Sequence, residues 1–402
     1  MVNKNHQLFV DPHIQYPDDM TLSFEQYRQA CQSLIKTTRL DLEKNPQAQH
    51  IIEANTPFEL RPDSITKNTA GALLIHGLYD SPFSMRDVGL YLQSQGVLVK
   101  SILLPGHGTT PGALLNVTYQ EWLQTVNYGI HNLLNEVDTI FLVGMSTGAT
   151  LALYHALTQP NKSIAGIITF SPAIKIYSHL AFAANWHKII SWKFPKTAWL
   201  GQLDEDDYVK YQSCTFNSIY QVYLLCHELK KLTQAIPCPL LVAIPQNDRT
   251  VCSDTTLQYF QSHASFNSQL ILYTNNKNNI TDNRIITRQA AYPELNIADF
   301  SHVSIPISPD NSHYGEHGDY PFASRIEDNV SANKKIIYDK SNSLDEIFSS
   351  LLYNMGITKN LHLRLTFNPD FEFLTRKIGE FINCLEQQRD PAKHGGDPPN
   401  YQ

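Results

Sequence analysis

From Ala70 onward the chain alternates short apolar runs with longer segments of helical spacing, and this alternation constrains the fold more than any other feature. Runs at 70–75, 97–104, 139–143, 164–170, 239–244 and 270–273 read as strands, and 81–95, 119–136 and 150–157 read as helices between them. Short, mainly apolar strands have to be covered on both faces, and strands separated by helices run parallel. The pattern therefore predicts an α/β chain with a mostly parallel central sheet and helices on both faces.

Two stretches interrupt the alternation. Residues 173–236 lie between two strands and read as a mainly helical insertion rich in aromatics. Residues 275–359 are polar, rich in Asn and Ser, and weakly periodic. The pattern then recovers in an amphipathic helix at 371–385, opened by Asn368-Pro369-Asp370. We expect an N-terminal helical extension over 1–68, a core made of 69–172 and 237–388, a cap over 173–236, and a disordered tail over 389–402. Within the extension, 24–42 has helical spacing with Tyr27, Cys31, Leu34 and Ile35 on one face.

With 402 residues the chain can bury a large core, and a net charge of −7 gives no electrostatic reason to expect nucleic acid as a partner. The six cysteines are dispersed without a CxxC pair and read mostly as thiols. No signal-like h-region or bilayer-length apolar run occurs, so a cytoplasmic location is expected. His76 and His107 lack ligand spacing, and Gly106-x-Gly108 lacks the rest of a dinucleotide fingerprint. Neither a metal nor an organic cofactor is expected.

Gly144-Met145-Ser146-Thr147-Gly148 carries the chemistry. In a G-x-S-x-G turn a strand meets a helix so sharply that the serine backbone is strained, and the flanking glycines relieve the crowding. The apolar run 140–143 supplies the strand and 149–155 supplies the helix. The competing reading is a Gly-rich turn that only packs or binds an anion. A nucleophilic serine also needs donors for the oxyanion that develops in acyl transfer. His76-Gly77-Leu78 follows directly on strand 70–75, so the backbone N–H groups of Leu78 and Thr147 are the candidates.

The serine further requires a base, and the base an orienting carboxylate. Asp248 lies just past the end of strand 239–244, where an open α/β sheet places its site. Asp254 competes with it but reads as the N-cap of the next helix. The later histidines are His263, His302, His313, His317, His362 and His394. His302, in a short segment flanked by Phe300 and Ile305, is preferred as the base, with His313 next.

These residues, together with Leu104-Pro105-Gly106-His107-Gly108, resemble in type and order the α/β-hydrolase serine esterases: carboxylesterases, monoacylglycerol lipases and lysophospholipases. The resemblance spans 70–305 and returns at the C-terminal helix. It implies the α/β-hydrolase fold with a helical cap, Ser146 as nucleophile, Asp248 and His302 as its partners, and Leu78 and Thr147 as oxyanion donors. Where that family often carries a glycine three residues before the acid, this chain has Pro245. The implied function is cleavage of carboxylic esters, lipid-like or of short to medium acyl chain, through an acyl-enzyme. A non-catalytic scaffold and an acyltransferase with the same triad are the alternatives. In the cap, Trp186, Trp192, Trp199, Phe182 and Phe194 either hold an acyl chain or form the cap's own core, and this stretch also admits contact with a membrane surface.

Overall fold

The structure, a computed structural model, describes residues 7–320 apart from 18, 67–68, 177–194, 277–279, 293–294, 296 and 298, together with 338–339, 363–364 and 366–389. Of the expected tail 389–402, Arg389 ends the C-terminal helix Phe371–Arg389, and 390–402, like the cap aromatics Phe182, Trp186, Trp192 and Phe194, lie outside the described residues. Up to residue 288 the strands in chain order are β1 (Phe58–Leu60), β2 (Ala70–Ile75), β3 (Leu98–Ile102), β4 (Thr139–Met145) and β5 (Ile164–Phe170), then β6 (Trp199–Gly201), β7 (Cys214–Thr215), β8 (Leu240–Pro245), β9 (Gln269–Tyr273) and β10 (Ile285–Arg288).

Eight of these form one sheet in the order β1-β3-β2-β4-β5-β8-β9-β10. All neighbours are parallel except β1, which pairs antiparallel with β3. This is the α/β-hydrolase fold. Successive side chains of a strand point to opposite faces, and the apolar runs exploit that period. Leu73 and Ile75 of β2 join one core layer with Trp122, Val126 and Leu133 of helix α4 (Tyr119–Leu134). Ala72 and Leu74 join the other with Val88 and Leu92 of α3 (Arg86–Ser94) and with Ile378 and Ile382 of the C-terminal helix Phe371–Arg389.

Other elements depart from the sequence reading for local reasons. Helix α1 (Phe24–Thr38) starts in a capping box between Ser23 and Gln26 and ends before residue 42. Arg39 takes an extended backbone there, and its guanidinium pairs with Asp41 at 2.6 Å. After α2 (Ala48–Asn55) the extension adds β1 to the sheet, a strand too short to show a period. Strand β10 falls inside the polar stretch after 275, where its half-buried edge position requires no apolar run.

Lys100, on the buried strand β3, puts its ammonium against Asn132 Oδ1 at 2.6 Å and Glu136 at 2.5 Å, with Glu59 of β1 at 3.4 Å. A charge on an otherwise apolar strand is tolerated because it is paired and hydrogen-bonded. Among the described residues of 173–236, β6 and β7 form an antiparallel pair, an irregular strap of residues 202–213 links them, and a helix (Phe216–Lys231) follows. Among the described residues no helix is long and apolar enough to cross a membrane. The structure holds no disulfide among them either, and Cys31, Cys214, Cys226 and Cys238 are buried.

One phenol of the extension reaches into the core. Tyr27 Oη accepts from the Leu103 N–H and donates to the Leu103 carbonyl, both at 3.1 Å, in a fully buried setting. Removing a buried partner leaves both backbone groups unsatisfied. Tyr27→Phe is expected to lower stability by about 1–3 kcal/mol, read as the shift in urea midpoint at constant m-value.

Candidate active site

Ser146 stands at the junction of β4 and helix α5 (Thr147–Thr158) with φ 51° and ψ −115°. This is the left-handed region that an L-residue adopts only under strain. The two flanking glycines are required by packing. A Cβ on Gly144 would stand 2.5 Å from the Ala149 nitrogen, where the helix folds back over the strand. A Cβ on Gly148 would run into the carbonyl oxygens of Ile75 and His76 at the end of β2. The elbow is held from the far side by the Ser146 N–H, which donates to the Phe170 carbonyl of β5 at 2.9 Å.

The structure brings Ser146, His302 and Asp248 together. Ser146 Oγ lies 2.8 Å from His302 Nε2, and His302 Nδ1 lies 2.7 Å from Asp248 Oδ2. The other Asp248 oxygen accepts from the Thr250 and Val251 N–H groups at 2.7 and 3.0 Å, which fixes the carboxylate in its turn. A carboxylate at Nδ1 places the imidazole proton there, and Nε2 is left to accept from the serine hydroxyl. All three residues are buried. Pro245 ends β8 with its carbonyl accepting from Ser253 Oγ at 2.6 Å, and the turn that presents Asp248 follows it. Asp254 does not cap the next helix. The N-cap is Cys252, and Asp254 is exposed in the first turn of that helix, Ser253–His263.

Next to the serine, the turn after β2 approaches so closely that a Cβ on Gly77 would stand 3.3 Å from the Ser146 Cβ. Among the described residues, neither the Leu78 N–H nor the Thr147 N–H has an internal acceptor. Thr147 opens helix α5, whose N-terminal dipole adds positive potential at the same point. His76 is structural: its Nε2 accepts from the Leu104 N–H at 3.1 Å and its Nδ1–H donates to the Gly77 carbonyl at 2.8 Å. Burial pushes its pKa down to about 4, so the ring stays neutral and ties β2 to the 104–108 loop.

The family model described as serine aminopeptidase, S33 (Hydrolase_4) matches residues 66–277. The chain belongs to this family. The thermostable monoacylglycerol lipase of Bacillus sp. (strain H-257) is 27% identical over 205 residues, covering 51% of this chain and 81% of that protein. The carboxylesterase of Bacillus subtilis (strain 168) is 22% identical over 250 residues, covering 60% of this chain and 98% of that protein. Among solved structures, the monoacylglycerol lipase of Paleococcus ferrophilus aligns with a TM-score of 0.45 at 18% identity, over 55% of this chain and 88% of that one.

In this S33-family hydrolase the other candidate histidines among the described residues are engaged elsewhere or exposed. His362 and His394 fall outside the described residues, His317 is exposed, and His263 ends its helix stacked on Tyr259. His313 donates through Nδ1 to Asp319 at 2.6 Å and through Nε2 to Asp207 at 3.1 Å, so it is tied to the cap strap and not to the serine. Sequence reasoning also missed the cap's hold on the turn after β2. Tyr79 has φ 64°, its hydroxyl meets Ser218 Oγ and Cys214 Sγ at 2.7 Å each, and its carbonyl accepts from the Tyr211 N–H at 2.8 Å. No local pattern in the Tyr79 or Tyr211 segments signals contacts more than a hundred residues apart.

Burial pulls the His313 pKa down, but Asp207 and Asp319 outweigh it and the net shift is upward. A histidine whose folded value is raised stabilises the fold fully below the unfolded value of about 6.5 and loses that contribution as pH rises through the folded value. The strap contact is therefore expected to weaken on going alkaline. His313→Gln should remove part of the fall in Tm between pH about 6 and 9, measured by thermal unfolding across that range.

Proposed function

We propose that Ser146, His302 and Asp248 act as a catalytic triad and that the protein hydrolyses carboxylic esters through an acyl-enzyme. The single observation that carries this reading is the continuous hydrogen-bonded line from Ser146 Oγ through His302 to Asp248 Oδ2, at 2.8 and 2.7 Å. Ser146 Oγ attacks the ester carbonyl and passes its proton to His302 Nε2. The Leu78 and Thr147 N–H groups receive the oxyanion. The tetrahedral intermediate collapses, and the imidazolium protonates the leaving alcohol. Water, deprotonated by the same nitrogen, then releases the acid.

The cavity over the serine supports an ester in preference to a peptide with a free amino terminus. It is walled by Met145, Ile176, Ile219, Val222 and Val251, side chains suited to an acyl chain. No Asp or Glu lines it among the described residues to receive a substrate ammonium. The names of the two Bacillus relatives favour the same choice, with lipid-like or short-to-medium acyl esters as the substrate class.

A fluorophosphonate probe is expected to label the wild type and to leave Ser146→Ala unlabelled. His302→Ala and Asp248→Asn should each lower kcat on a nitrophenyl ester by about 10³-fold or more, the second because the imidazole loses its tautomer. His313→Ala should stay within about tenfold of wild type, since its contacts do not reach the reacting atoms. Activity retained in His302→Ala would overturn the assignment of the base.

A further inference from the structure

The cavity that holds Ser146 and His302 has a second chemical feature that the triad does not use. Lys210 lines the same cavity and is buried, with side-chain exposure of 5%. Its nearest carboxylate is Asp80 Oδ2 at 3.9 Å, beyond hydrogen-bond distance, and Asp80 Oδ2 has no hydrogen-bond partner among the described residues. The Tyr314 ring centroid lies 5.8 Å from Nζ, at the outer limit of a cation–π contact. An ammonium has three N–H donors, and among the described residues none of them has an acceptor within hydrogen-bond distance. These donors face the cavity, where an acceptor on a substrate can receive them.

The backbone around Lys210 is fixed. The Val209 N–H donates to Asp207 Oδ1 at 3.0 Å, and the Tyr211 N–H donates to the Tyr79 carbonyl at 2.8 Å. The second bond ties the lysine's segment to the turn that carries the Leu78 N–H. A cation with unpaired donors is thus positioned relative to the very backbone proposed to meet the oxyanion. Asp80, on the same turn, balances its charge.

We propose that Lys210 is a specificity-determining residue that donates a hydrogen bond to a neutral acceptor oxygen, a hydroxyl or ether, borne by the ester substrate away from its scissile carbonyl. The proposal rests on the ester-hydrolase reading above. A neutral oxygen is favoured over a carboxylate because Asp80 already supplies the counter-charge, and a second anion beside it would be repelled. Burial raises the Asp80 pKa while Lys210 opposes the rise, as expected for a pair that shares one dry site. Apart from Ser146, His302 and the hydroxyls of Tyr79, Thr147 and Thr250, the described walls of the cavity carry no other polar side chain, so Lys210 is the charged donor such an oxygen meets.

The test uses matched esters of equal length in which a chain methylene is replaced by an ether oxygen or the terminal methyl by a hydroxyl, one series on the acyl side and one on the alcohol side. The wild type is expected to prefer the oxygenated member of one series by about tenfold or more in kcat/KM, mostly through KM, as a hydrogen bond to a charged donor warrants. Lys210→Met keeps the apolar stem and should abolish that preference, and Lys210→Arg should retain part of it. Asp80→Asn combined with Lys210→Met removes both charges together, so the preference can be read even where the single variant folds poorly. A preference that survives in the Lys210→Met proteins, or is absent from the wild type in both series, overturns the proposal while leaving the ester reading intact. Faster turnover of an ester bearing a terminal carboxylate overturns the neutral class. Turnover of no ester at all sinks the hydrolase reading, and this inference with it.

Discussion

The site depends on two parallel strands that end level with each other. Strands β2 and β4 pair in register from Ala70 opposite Thr139 to Ile75 opposite Gly144, so the turns leaving them meet at one edge. The contact is backbone on backbone. Gly148 rests on the carbonyls of Ile75 and His76, and Gly77 rests on the Ser146 Cβ. A side chain at 148 would wedge the turns apart, and one at 77 would press on the Ser146 Cβ. With them pressed together, the serine and both candidate oxyanion donors fall within one small volume, and the helix behind Ser146 aims its positive end into it.

How legible each part was depended on how local its cause is. The strands at 70–75 and 164–170 coincide with β2 and β5 because burial on both faces leaves an unbroken apolar run. The elbow was equally visible, since its steric demand is met by residues two positions away. Chain order and flanking apolarity point to Asp248 and His302, and the structure places them within hydrogen-bond distance of each other. What could not be read is what tertiary contact alone creates. Three residues of β1 show no period, and β10 is a half-buried edge strand with a polar sequence. Lys100 looks wrong for a buried strand until Glu136 and Asn132 are seen beside it.

The cap strap illustrates the same limit at the site. Nothing around Tyr79 in sequence announces that its carbonyl and hydroxyl are gripped from 211, 214 and 218, or that Lys210 shares the cavity of Ser146. Yet these contacts fix the turn whose backbone faces the serine. The strap and the turn after β2 are consequently held together: a change in the strap alters the backbone beside Ser146 as well as the shape of the cavity above it.

The line from Ser146 through His302 to Asp248 joins residues separated by 156 and 54 positions. Closing such distances costs chain entropy that the assembled sheet has to repay. A chain that has not closed these contacts brings neither the His302 imidazole nor the Asp248 carboxylate to Ser146. On the proposed triad, labelling at Ser146 is for that reason also a report that these two long-range contacts have closed.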